Sequence, residues 1–233
     1  MNFINDVLEV FGYQINKDQE DKFEQYFNKL IDYNKKTNLT AITERSEVYY
    51  KHFFDSISSM MLVNYTKDEL HICDIGAGAG FPSIPLKILF PNLKIDIVDS
   101  LNKRIIFLEE LIEELELDNI GLFHDRIEKF ALGHLNKYDI VTARALGKLN
   151  MISEMALPML KKQGQFIAYK GSEVDKEIID SSNALDILGG TIIETKNFNL
   201  PNNYGARNLI LISKTKNVKG YPRDFASMKK KPL

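Results

Sequence analysis

Apolar and polar positions change rhythm once along this chain, just after residue 62. Before that point the apolar residues recur at helical spacing. Phe3, Ile4, Val7, Leu8 and Phe11 form one stripe, closed by Gly12, a residue suited to ending a helix. Asn16 is placed to cap a second helix with Gln19 at the reciprocal position, and Phe23, Tyr26, Phe27 and Leu30 supply its apolar face. After the polar loop NKKTNLTAIT, Thr43 is placed to cap a third helix through Val48, Phe53, Ile57 and Met60. His52 and Asp55 share one face of it, as residues three apart do.

Beyond residue 62 short apolar runs alternate with helical stretches. Strands are expected at 70–75, 94–99, 120–123, 138–143, 165–170, 191–194 and 209–213, and helices at 82–90, 102–117, 127–132, 151–160 and 173–188. Such alternation predicts an α/β fold: a seven-stranded, mostly parallel sheet with helices on both faces, preceded by a helical N-terminal extension. The expected division is 1–62 for the extension and 63–233 for the main domain, packed as one unit. The last two strands are joined by NFNLPNNYGAR with no helix, which predicts an antiparallel hairpin at the sheet edge.

The first strand runs into a glycine turn, HICDIGAGAGFPSIPLKILF at 71–90. Gly76, Gly78 and Gly80 alternate, and Asp74 lies on the strand before them. A dinucleotide fingerprint needs its third glycine at the position held here by Phe81. The actual spacing suits a ligand with a positive group and no pyrophosphate, such as S-adenosylmethionine. Ligands in parallel sheets sit at the carboxyl ends of the strands, beside the switch in strand order. Asp99, ending the second strand, is placed to accept two hydrogen bonds from a ribose diol. After the third strand, the amide near Ile127 and the side chain of Glu128 are placed to meet an adenine edge. Arg144, ending the fourth, is suited to a carboxylate or phosphate.

Charge adds a local feature only. The net charge is −2, which excludes a polycation, yet residues 214–233 carry seven Lys or Arg against one acid, together with Tyr221, Pro222 and the run Lys229-Lys230-Lys231. That mixture suits phosphate binding with base stacking. Lys103 and Arg104 open the expected helical stretch at 102–117, beside the crevice, as further basic candidates. The single cysteine, Cys73, excludes an internal disulfide and suggests a buried residue in an intracellular chain. No apolar run is long enough to span a membrane, and no metal-ligand cluster stands out. A cytoplasmic monomer is expected.

Together these residues resemble the glucose-inhibited division protein B family. The resemblance rests on NLTAI at 38–42, KHFFDS at 51–56, DIGAGAGFPSIPLKI at 74–88 and DSLNKRIIFL at 99–108. It continues through DRIEKF at 125–130, DIVTARAL at 139–146, YKG at 169–171 and YPR at 221–223. Lys51 and Ser83 depart from the family's usual Arg and Gly without changing the local chemistry. The resemblance implies a class I, Rossmann-like fold and S-adenosylmethionine-dependent methylation of guanine N7 in 16S ribosomal RNA of the bacterial small subunit. It implies that Gly76, Phe81, Ile127, Glu128 and Arg144 line the cofactor site. Asn38, His52, Asp55, Lys170, Arg207 and Arg223 would face the RNA.

Guanine N7 carries a free lone pair and no proton, so catalysis by positioning suffices, with Arg144 the candidate for orienting cofactor or easing charge on the base. Mutation of Gly78 or Asp99 is expected to abolish cofactor binding, and mutation of Arg223 to weaken RNA binding only. Two alternatives remain at this level: a small-molecule methyltransferase on the same fold, and a non-catalytic ribosome-assembly factor.

Overall fold

The change of rhythm corresponds to a change of architecture in the computed structural model, which describes residues 2–66, 70–172 and 174–233. Two helices open the chain, α1 (Phe3–Phe11) and α2 (Lys17–Thr37). Gly12 ends α1 in the left-handed conformation, and Asn16 and Gln19 form the expected reciprocal cap on α2. The third helical region is broken into α3 (Arg45–Glu47), a π-helical stretch Val48–Phe54, α4 (Asp55–Ile57) and a 3-10 turn Ser58–Met61. Glu44, not Thr43, caps it, its carboxylate accepting the Glu47 N–H.

The sheet holds β1 (His71–Ile75), β2 (Lys94–Asp99), β3 (Ile120–His124), β4 (Tyr138–Arg144), β5 (Leu160–Lys170), β6 (Gly190–Asn199) and β7 (Ala206–Lys214). Their order is β3-β2-β1-β4-β5-β7-β6. The first five strands are parallel, and β7 runs antiparallel to both β5 and β6, which places the expected hairpin at the edge. Connecting helices are α5 (Ser83–Leu89), α6 (Asn102–Glu114), α7 (Ile127–Leu132), α8 (Leu149–Ala156) and α9 (Val174–Leu188). Glu173, the first residue of the expected 173–188 helix, lies outside the described residues. The order reverses between β1 and β4, so the carboxyl ends of β1, β2, β3 and β4 surround one crevice.

Two apolar clusters cover the two faces of the sheet. One joins Phe3, Phe23, Tyr26, Leu30, Phe53 and Ile57 of the N-terminal segment to Ile72, Ile95 and Ile97 of the strands and Phe107 and Leu108 of α6. The other gathers α7, α8 and α9, and includes Cys73 and Met228. α2 is also held by polar contacts: Tyr26 donates to the Ala79 carbonyl at 2.5 Å, and Lys29 meets Glu110 at 2.9 Å and Glu114 at 3.1 Å. The acidic face of α6 is thus partly neutralised by α2. The basic tail is not an extended strand of solvated charge; it folds into α10 (Phe225–Lys230), capped by Asp224.

Candidate active site

The turn after β1 is open where a ligand needs backbone. Gly78 has φ +63°, and a Cβ there would meet nothing within 4 Å. Its N–H donates to Asp99 Oδ2 at 3.1 Å. Asp99 also accepts the Leu101 N–H at 2.9 Å and pairs with Arg104 at 3.0 Å. With three of roughly four lone-pair directions used, one remains for a diol hydroxyl, not the two expected. Gly80 serves differently. It is absent from the cavity wall, and a Cβ on it would come within 2.6 Å of Ile84 and 3.0 Å of the Tyr26 hydroxyl. Its expected ligand role is therefore corrected to close helix packing at φ +99°.

Asp74 is fully buried beneath the turn. Its Oδ2 accepts the Ser83 N–H at 3.1 Å, and its Oδ1 has no partner among the described residues. Burial pushes its carboxyl up to about 6, against the opposing pull of the Ser83 N–H and the Arg144 charge. An unpartnered buried carboxylate oxygen, a spare lone pair on Asp99 and open backbone at Gly78 fit a cationic amino-acid nucleoside.

Arg144 is already held. Its Nε meets Asp55 at 2.9 Å, one terminal nitrogen donates to the Lys51 carbonyl at 2.5 Å and lies 3.2 Å from His52 Nδ1, and the other reaches Ser56 at 3.4 Å. The guanidinium also lies over the Phe81 ring, 5.5 Å from its centre. Since arginine donates to His52 Nδ1, that nitrogen is the acceptor and Nε2 carries the proton toward Thr40 at 3.0 Å. The His52 ring stacks on Phe81 at 4.5 Å. Burial, then the Arg144 charge, lowers the His52 pKa to about 3, so it stays neutral. Leu39, Thr40, His52, Gly76, Gly78, Phe81, Arg104, Arg144 and Leu146 line a cavity of about 200 Å³.

A second cavity, of about 690 Å³, lies on the other side of Leu146. Ser100 from the end of β2, Arg126, Ile127 and Glu128 from the start of α7, Gly147, and Phe225 and Lys229 from α10 line it. Glu128 is paired there with Arg126 at 2.7 Å. The loop between β4 and α8 separates the two cavities, and Leu146 lies against Gly76, where a Cβ would fall 2.6 Å from its Cδ1.

Several expected RNA contacts face inward. Asp55 is 3% exposed, clamped between Arg144 and Arg207, the latter at 3.3 Å. Burial therefore removes it from the RNA-facing set. Lys170 is buried, its ammonium on the Gly147 carbonyl at 2.5 Å and Glu177 at 2.6 Å. It too leaves the set. Arg223 is tied to buried Glu154 at 2.6 Å. Asn38 ends α2 in the left-handed conformation and is exposed, as is Lys103, which donates to the Thr37 carbonyl at 3.0 Å. Arg126, Leu146, Glu154, Glu177 and Phe225 had no part in the sequence expectation. Cys73 is buried and burial pushes its thiol well up, so it supplies no nucleophilic thiolate.

The strand order, the glycine turn and an acid closing β2 define a class I methyltransferase fold. Solved structures share it. A precorrin-6y C5,15-methyltransferase from Geobacter metallireducens aligns at TM-score 0.52 and 19% identity over 70% of this chain and 87% of its own. TYW2 of M. jannaschii, in complex with AdoMet, aligns at TM-score 0.53 and 14% identity over 66% and 71%. The likeness at these identities is one of fold.

Sequence comparison goes further. The family described as GidB, rRNA small subunit methyltransferase G, matches residues 19–209. The ribosomal RNA small subunit methyltransferase G of Staphylococcus saprophyticus is 49% identical over 97% of this chain and 95% of its own length. That of Staphylococcus aureus strain Newman is 44% identical over 100% and 98%. This chain belongs to the rRNA small subunit methyltransferase G family.

Proposed function

We propose that this protein transfers the methyl group of S-adenosylmethionine to N7 of a guanine in 16S ribosomal RNA, as naked RNA or within the small subunit. The observation that carries the reading is the divided cavity at the strand ends, bounded by an open glycine backbone. When bound, the cofactor supplies an electrophilic methyl on a sulfonium. Asp99 and Gly78 hold the ribose side, the buried Asp74 charge favours the cationic end, and Ile127 and Glu128 border the adenine side. Neutral His52 and paired Arg144 exclude water and fix the floor of the smaller cavity. Guanine N7 needs no deprotonation, so positioning is the whole of the catalytic demand. A cysteine-dependent carbon methylation finds no usable thiol, and the segment after β4 reads TARA where amino-group methyltransferases place an Asp/Asn-Pro-Pro-aromatic motif.

The N-terminal helices and the sheet work as one unit on this reading, supported by their common apolar cluster. Asn38, Lys103, Arg207 and the exposed tail lysines are the RNA-facing candidates that keep accessible charge or polarity. The enzyme is read as a cytoplasmic monomer, since both cavities are lined by one chain; no helix among the described residues is long and apolar enough to cross a membrane. Labelled S-adenosylmethionine should enter 16S RNA or small subunits and not small metabolites, and the product should be cleaved by borohydride and aniline at one guanine. Label in an exocyclic amine, or in no RNA, sinks the reading.

A further inference from the structure

The basic tail has a second use that its charge does not announce. Its helix α10 does not hang into solvent beside the crevice; it forms part of the wall of the larger cavity. Phe225 and Lys229 line that cavity together with Ile127 and Gly147. Phe225 is 37% exposed, while Met228 is the residue that buries the helix against the fold. Arg126 lies over the Phe225 ring at 5.2 Å and pairs through Nε with Glu128 Oε1 at 2.7 Å. Phe225, Arg126 and Glu128 are therefore one stack, running from the tail to the carboxylate at the adenine side.

The seat beneath combines burial, a cap and an ion pair. Met228 is fully buried, Asp224 caps the helix, and Arg223 grips Glu154 through two of its nitrogens. A flat apolar ring held by a guanidinium, with an acceptor beside it, is a surface that takes the face and edge of a purine.

We propose that the C-terminal helix belongs to the cofactor site, with Phe225 and Arg126 forming the outer wall for the purine of S-adenosylmethionine. The inference rests on the proposed reading of the cavity as the cofactor site. It makes the tail a joint element: Lys230 and Lys231 outward for RNA, Phe225 inward for the nucleoside.

The test is binding of S-adenosylmethionine and of adenosine, each without RNA, to wild type and to Phe225→Ala. Phe225 is exposed, so its removal leaves the melting temperature in place. The expected result is weaker binding of both ligands, by roughly threefold to tenfold, the worth of one aromatic contact. Phe225→Tyr should restore it. Wild type that binds both ligands while Phe225→Ala binds them equally well overturns this inference and leaves the methyltransferase reading intact. Wild type that binds neither overturns both. Loss of RNA affinity in Phe225→Ala with unchanged cofactor affinity also overturns it, because the tail then serves RNA alone.

Discussion

Asp74 and His52 are pushed in opposite directions by the same burial. Asp74 is raised to about 6 and His52 lowered to about 3, so each favours its neutral form. For Asp74 the folded value lies above the ordinary 3.8, so the native state binds the proton more tightly than the unfolded chain. Stability from this group is present below the ordinary value and is lost as pH rises through about 6. Asp74→Asn should therefore hold or raise the melting temperature at pH 8 relative to its effect at pH 4, while weakening S-adenosylmethionine binding about tenfold at pH 8. Cofactor affinity of wild type should climb as pH rises through about 6, read by calorimetry. A flat affinity profile refutes the electrostatic role. His52, neutral throughout, contributes no limb to the pH–rate profile; His52→Gln should slow turnover without changing that profile's shape. Asp74 and Gly78 were readable in sequence because one local turn unites them, and Asp99 because it closes the next parallel strand. The partners of Arg144 were not, since Asp55 and His52 approach it only through packing of a distant helix.

The loop between β4 and α8 is the element on which both cavities depend. Lys170, at the end of β5, holds the Gly147 carbonyl and Glu177; the same Glu177 oxygen accepts the Leu149 N–H at 2.9 Å and so caps α8. Ala145 and Gly147 both adopt positive φ, at +53° and +150°. A loop in that conformation needs outside support, and the buried ammonium supplies it. Lys170→Met should raise KM for S-adenosylmethionine by roughly tenfold, the scale of a lost charge-assisted hydrogen bond, with RNA affinity unchanged. The reverse pattern restores an RNA-facing lysine. At this scale the strands and their connecting helices were legible because each carries its own period. The broken helix around His52 was not, because its π-helical turn brings Tyr50 and Phe54 inward beside the expected Phe53, and no local pattern encodes that. β5 begins earlier than its apolar run because Leu160 pairs with Tyr138 across a bulge.

Across the whole molecule, an ion pair anchors the tail to the fold beside the buried Met228. Glu154 is 1% exposed on α8, and Arg223 meets it with its backbone N–H at 3.1 Å, Nε at 2.7 Å and a terminal nitrogen at 2.6 Å. The other terminal nitrogen donates to the Lys231 carbonyl at 3.1 Å, and Asn150 to the Leu233 carbonyl at 3.4 Å. The expectation that Arg223 affects RNA binding alone is thus revised. Removing it strands a buried carboxylate, a change that typically costs about 3–5 kcal/mol, less here because Arg223 is partly exposed. Arg223→Ala should lower the melting temperature by roughly 5–10 °C and weaken RNA binding by displacing the tail. Glu154→Gln should produce the same loss, and the double variant no more than either alone. Lys230→Ala with Lys231→Ala should leave the melting temperature unchanged and reduce only the salt-dependent part of RNA affinity. If Arg223→Ala melts like wild type while losing RNA, the arginine is a phosphate contact, and the tail must be held to α8 by Met228 and the C-terminal carbonyls instead.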